Sequence, residues 1–182
     1  MRLKRRHLLV GCAALLLPIR PRSAMAAAAA PGFRFESIDG GSYDLADWRG
    51  RPVLVVNTAS LCGFAGQFDT LQQLQDRYAE RGLIVLAVPS DDFRQELASA
   101  AEVKEYCAVN FDLSLRMTGI THVKGPEAHP FYRWMAAEHG FVPGWNFNKI
   151  LLGRDGQPVG TWGAPAAPLS APILQAIETV LG

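Results

Sequence analysis

The residues with the clearest chemical potential in this 182-residue chain are Cys62 and Cys107. Cys62 ends the stretch Val-Asn-Thr-Ala-Ser-Leu-Cys, where an apolar run over 53–56 gives way to polar residues and then to a helical pattern. In open α/β sheets, reacting groups gather past the carboxyl ends of the strands. A following helix start offers unpaired N–H groups and a dipole that favour an anion. Both features suit a thiolate, the nucleophilic form of cysteine. The residue three positions on is Ala65 and the fourth is Gly66, so neither C-x-x-C nor C-x-x-x-C is present. Two cysteines and three scattered histidines after the leader lack zinc-ligand spacing, so no metal or cofactor is expected. Ser60 has no G-x-S-x-G context and no histidine at a telling position. Cys62 therefore reads as a lone nucleophile, as an inert core thiol, or as half of a pair with Cys107.

The surrounding pattern supplies the elements that must position these residues. Residues 33–52 read as a hairpin turned at Gly40-Gly41. Residues 53–59 and 83–89 are continuous β-branched runs, as expected of strands buried on both faces. Between them Phe68, Leu71, Leu74 and Tyr78 recur at helical spacing, and Gly82 ends that helix. The three pieces predict a parallel, right-handed βαβ unit. A short helix over 102–109 follows, with Val103, Tyr106 and Cys107 on one face. Another runs over 129–140, with Pro130 in its first turn and Gly140 after its end. Residues 148–162 read as a hairpin turned at Asp155-Gly156, and 171–181 as a closing helix. This order predicts an α/β sheet closed by two antiparallel strands.

The N-terminus has a different character. A basic "MRLKRR" precedes 12 apolar residues, Leu8 to Ile19, and small residues at Ala24 and Ala26. A membrane span needs about 20 apolar residues, so residues 1–26 read as a removable export signal and not as a stable membrane anchor. Arg5 and Arg6, one residue before two leucines, resemble a twin-arginine signal. A single domain over 27–182, exported to a compartment such as the periplasm, is expected. The leader carries six of the 18 basic residues and none of the 17 acidic ones, so the remainder has a net charge of −5. That balance argues against nucleic acid as a partner.

From about Phe33 to Leu181 the chain resembles the glutathione peroxidase family. "VNTASLCGFAGQF" is similar to the family's nucleophile motif, commonly N-V-A-S-x-C-G-x-T. "WNFNK", Trp145 to Lys149, resembles its tryptophan–asparagine motif, and "VPSDDFRQE" stands where the family has F-P-x-N-Q-F-G-x-Q-E. The resemblance implies a thioredoxin-like fold with an N-terminal β-hairpin and a central mixed sheet flanked by helices. It implies that Cys62 is the peroxidatic cysteine, oxidised by a hydroperoxide to a sulfenic acid. Trp145 and Asn146 would flank the thiolate as hydrogen-bond donors. Cys107 would be the resolving cysteine, on a helix that must open locally for a disulfide to form. The short connection over 140–144 implies a monomer with an open site for bulky, including lipid, hydroperoxides. A thioredoxin-like protein is the expected reductant ahead of glutathione, for which no basic cluster is present.

Two positions depart from the family pattern. Ala65 replaces a threonine, and Asp92 stands at the family's glutamine. An ionised aspartate has no proton to donate, and at about 4–6 Å it would oppose a thiolate. In a solvated loop after Pro89 it is expected to turn away, leaving the stabilisation to Trp145 and Asn146. Two other functions use the same cysteines: a peroxide sensor that relays oxidation to a client, and a non-catalytic domain with a structural Cys62–Cys107 disulfide. The export reading has a direct check. Sequencing the amino-terminus of protein recovered from cells should find a start near Ala27, and replacing Arg5 and Arg6 by lysine should block export by the twin-arginine route.

Overall fold

The computed structural model describes residues 30–182; the expected export signal over 1–26 lies outside the described residues. The chain starts with a small antiparallel sheet, Arg34–Glu36 (β1) and Ser42–Asp44 (β2), turned at two positive-φ glycines, Gly40 and Gly41. Asp44 accepts from Ala46 N–H at 2.9 Å and starts a single 3-10 turn, Leu45–Trp48, where the sequence suggested only hairpin.

Val53–Thr58 (β3) is buried at all six positions. Helix α1, Gln67–Tyr78, then crosses to Ile84–Pro89 (β4), equally buried. The two strands pair in parallel, Val53 opposite Ile84 and Thr58 opposite Pro89. Helix α1 packs with Phe68, Leu71, Leu74 and Tyr78. Each such burial contributes roughly 1.5–3 kcal/mol, which fixes the helix face and hence the direction of the turn that precedes it. Helix α2, Ala100–Phe111, runs two residues further at each end than the pattern suggested. Its start is a capping box: Ser99 Oγ accepts from Glu102 N–H, and Glu102 accepts from Ser99 N–H. Only Val103 and Cys107 of its twelve residues are buried; Tyr106 is only half-buried.

Arg116–Met117 (β5) extends the sheet beside β4 and carries no sequence signal, being two residues long. The hairpin reaches its far side: Ile38 N–H donates to Met117 O at 3.0 Å, and Gly119 N–H to Glu36 O at 2.9 Å. Helix α3, Pro130–His139, is capped by His129, whose Nδ1 accepts from Phe131 N–H at 3.2 Å. Its Nε2–H can then donate to Arg34 O at 2.8 Å, tying the hairpin to α3. Lys149–Leu152 (β6) pairs antiparallel with β3, and Pro158–Trp162 (β7) antiparallel with β6. Trp162 folds back over Gly160, where a Cβ would come within 2.5 Å of the indole. Helix α4, Ala171–Leu181, closes the chain. The sheet order is β5-β4-β3-β6-β7, the mixed, thioredoxin-like arrangement. One core face holds α1, α2 and α4; the other holds the hairpin and α3.

Lys149 is completely buried at the start of β6. Its Nζ donates to Gln67 Oε1 and Ala164 O, with no carboxylate among its bonds. Burial holds the ammonium down at about 8, so the native state takes up its proton less readily than the unfolded chain. This group's contribution is most favourable above the unfolded Lys value of about 10.4 and is lost as pH falls toward 8. The full difference is about 3 kcal/mol. Denaturant midpoints for the wild type and Lys149→Met should therefore diverge, with Lys149→Met relatively more stable at pH 7 than at pH 10.5.

Candidate functional site

Cys62 sits in a turn over 60–66 between β3 and α1, just past the strand end as the pattern suggested; α1 begins at Gln67. The thiol is 5% exposed. Phe64 N–H donates to Cys62 Sγ at 3.5 Å, and Ala65 N–H to Cys62 O at 2.9 Å. The turn thus supplies the sulfur with a backbone donor, which helps hold negative charge there. The sequence suggested unpaired N–H groups near this thiol, but not that the donor would be Phe64.

The 145–148 loop is pinned to the end of β3 by one residue, Asn57. Asn57 Nδ2 donates to Trp145 O at 2.9 Å, and Asn148 N–H donates to Asn57 Oδ1 at 3.1 Å. The Asn57 backbone accepts from Phe147 N–H at 2.5 Å and donates to Asn148 O at 3.2 Å. Phe147 takes a left-handed backbone, φ 61°, and is fully buried against Phe68. A left-handed non-glycine residue is costly and persists only where its surroundings impose it. Here the conformation goes with a Phe147 ring seated in the core directly after Trp145 and Asn146. Asn146 is fully buried, whereas Trp145 is 42% exposed and packs on Phe93 at 5.3 Å. Lys124 Nζ lies 4.1 Å from the centre of the Phe93 ring. Phe93, Trp145 and Lys124 thus make an apolar rim carrying one cation, and Leu61 is exposed as well.

The segment after β4 handles its acids separately. Asp92 turns to the 122–124 loop: His122 Nδ1 lies 2.8 Å from Oδ1, and Val123 and Lys124 N–H donate to Oδ2 at 2.6 and 3.0 Å. Its partners are thus His122 and two backbone donors, where the sequence reading expected solvent or Arg94. Burial pushes its carboxyl up, but the His122 ring and the two N–H groups outweigh that and hold it below the usual value. Asp92 in turn raises His122. Glu96 is buried; its Oε1 accepts from Ser60 and Leu97 N–H, both at 2.9 Å, and burial raises its pKa. Between them Gln95 accepts twice: its backbone O from Leu61 N–H at 2.9 Å, and its Oε1 from Asn146 Nδ2 at 3.0 Å. The sequence reading passed over Gln95 and Glu96, although both stand in the quoted "FRQE".

Cys107 is a free thiol, as is Cys62, so the fold holds no structural disulfide between them. Cys107 is 2% exposed, and burial, followed by the Glu96 charge, pushes it up to about 12. It backs onto a cleft of about 170 Å³ bounded by Ile38, Lys104, Leu115 and Met117. An ion pair between Lys104 and Asp39 bridges α2 to the hairpin.

The sequence model "Glutathione peroxidase" matches residues 32–136. A glutathione peroxidase of Lactococcus lactis is 36% identical over 141 residues, covering 75% of this chain and 90% of its own. The hydroperoxy fatty acid reductase gpx1 of Synechocystis is 36% identical over 148 residues, covering 75% and 88%. The crystal structure of Trgpx in apo form superposes with a TM-score of 0.65 at 29% identity, covering 84% of this chain and 97% of that one.

The Asp92 clamp has a pH signature. The depressed Asp92 contributes stability above the unfolded carboxylate value of about 4 and loses it on acidification. The raised His122 contributes below about 6.5 and loses its share as pH rises through its folded value. The stability gap between wild type and Asp92→Asn should therefore be widest near pH 5–6. The same substitution should leave the pH profile of Cys62 thiolate absorbance unmoved; a large displacement would place the carboxylate against the sulfur.

Proposed function

The chain belongs to the glutathione peroxidase family and is a thiol peroxidase that reduces hydroperoxides; from this we propose that Cys62 is its peroxidatic cysteine and Cys107 its resolving cysteine. The observation that carries the reading is the Cys62 turn, with a backbone donor on the sulfur and the Trp145–Asn146 loop clamped to the same strand end. The Cys62 thiolate attacks the outer oxygen of the hydroperoxide. The O–O bond breaks, sulfur becomes a sulfenic acid, and the alkoxide leaves as an alcohol after taking a proton. Charge builds on the leaving oxygen during this step. Preorganised donors such as the Asn146 amide and the Trp145 indole stabilise it without reorganising.

The Cys107 thiol then attacks the sulfenic sulfur, releasing water and forming the disulfide. As a buried, protonated thiol it must first be exposed. Helix α2 is suited to this: its N-terminus is capped, yet only two of its residues anchor it in the core. A thioredoxin-like dithiol reduces the disulfide more readily than glutathione in this reading. The enzyme works as a monomer, exported to a periplasm-like compartment. The apolar rim of Phe93 and Trp145 favours organic hydroperoxides, and lipid hydroperoxides are included. A relative described as a hydroperoxy fatty acid reductase supports that choice.

Thiol counting and intact mass test the scheme. Reduced protein should lose two thiols per hydroperoxide consumed and gain an intramolecular disulfide. Cys62→Ser should consume no peroxide. Cys107→Ser should turn over once and stop as the sulfenic acid; normal cycling with a thioredoxin-like reductant would remove Cys107 from the mechanism. Asn146→Ala should slow peroxide attack by ~10²–10³, the usual cost of a lost oxyanion-type donor.

A further inference from the structure

Gln95 is joined both to the Cys62 turn and to the buried amide of Asn146. Its backbone oxygen holds Leu61, the residue before Cys62, at 2.9 Å, and its side chain holds Asn146 at 3.0 Å. The carboxamide of Asn146 is fully buried, and its Oδ1 has no hydrogen-bond partner. A buried, unpaired carbonyl oxygen costs about 1–3 kcal/mol. Two amides, however, can be joined in either sense. In the sense just described, Asn146 donates to Gln95 and keeps an orphan oxygen. With both amides turned over, Gln95 Nε2–H donates to Asn146 Oδ1, the orphan is satisfied, and the Asn146 NH₂ occupies the buried side. A carboxamide carries two N–H groups, so either sense leaves Asn146 one to give, but only the second puts its NH₂ group on the side now held by the unpaired Oδ1.

We propose that Gln95 is a positioning residue for peroxide attack: it sets the sense of the Asn146 amide, and so the side to which its NH₂ and its oxygen point, and fixes that amide to the Cys62 turn through Leu61. The inference rests on the reading of Cys62 as nucleophile and Asn146 as donor. It also accounts for the tolerance of aspartate at 92. Asp92 is committed to His122 and the 123–124 backbone, and the amide nearest the Cys62 turn in this segment belongs to Gln95. The neighbouring acid, Glu96, does not compete for Asn146, since its Oε1 is taken by Ser60 and Leu97 N–H.

The test uses Gln95→Leu and Gln95→Glu, with single-turnover oxidation by tert-butyl hydroperoxide followed across pH. Gln95→Leu removes both senses and should slow attack by roughly 10-fold or more. Gln95→Glu accepts from Asn146 but, once ionised, cannot donate to it. It imposes the opposite sense and should be slow at neutral pH, with the profile of thiolate formation moved to higher pH than in Gln95→Leu. Unfolding midpoints serve as the control for structural damage. Wild-type rates and profiles in both variants would overturn the proposal. So would slowing that follows the loss of stability with an unmoved pH profile. Peroxide consumption by Cys62→Ser, or a wild-type rate in Asn146→Ala, would instead overturn the reading on which the inference rests.

Discussion

Asn57 is the joint on which the site depends. It is the penultimate residue of the strand that leads to Cys62, and its side chain and backbone together make four hydrogen bonds to the 145–148 loop. The residue is 1% exposed. A buried amide leaves no competing water, so these bonds are short of alternatives and the loop has one resting place. The strained Phe147 backbone follows from the same constraint: its N–H is committed to Asn57, while its ring is committed to the core against Phe68. Trp145 and Asn146 are thereby presented together, one partly in solvent and one fully buried.

The second constraint is electrostatic. Three acids, Asp91, Asp92 and Glu96, lie in the short segment beside a site meant to carry negative sulfur. Free carboxylates there would oppose the thiolate. Each of them meets a backbone donor: Asp91 caps Glu96 N–H, Asp92 is drawn to the 122–124 loop, and Glu96 binds Ser60 and Leu97. The cost is placed on Cys107, whose thiol is kept protonated by burial and by the Glu96 charge. A thiol buried and kept protonated in this way is a poor nucleophile while helix α2 stays closed.

Much of this was legible in the sequence. Continuous apolar runs at 53–59 and 83–89 mark strands buried on both faces, and the helical spacing of Phe68 to Tyr78 gives the crossover. Asp155-Gly156 marks the last turn. The two-residue strand at Arg116–Met117 was not legible, because so short a pairing has no period and is imposed by its neighbours. The S-x-x-E at Ser99 went unread, and the helix pattern alone placed the start of α2 two residues late. The candidate site residues were named from the resemblance of their motifs to a known family, whereas Gln95 and the Phe64 N–H act through contacts between distant segments or through the backbone. A one-dimensional pattern does not encode such contacts.

The ends of the sheet have a consequence for behaviour at high concentration. At one end, β5 offers no free ladder, because the hairpin bonds along its outer side through Ile38 and Gly119. At the other, β7 opens with a proline, shifts register opposite Leu151 and Leu152, and carries Gly160 beneath the Trp162 ring. A strand from another molecule would meet a missing donor and an indole lying across the pleat. Edge-to-edge growth into β aggregates is thus disfavoured at both margins. The glycine that looks like a weak point in the strand is the residue that lets the tryptophan shield it.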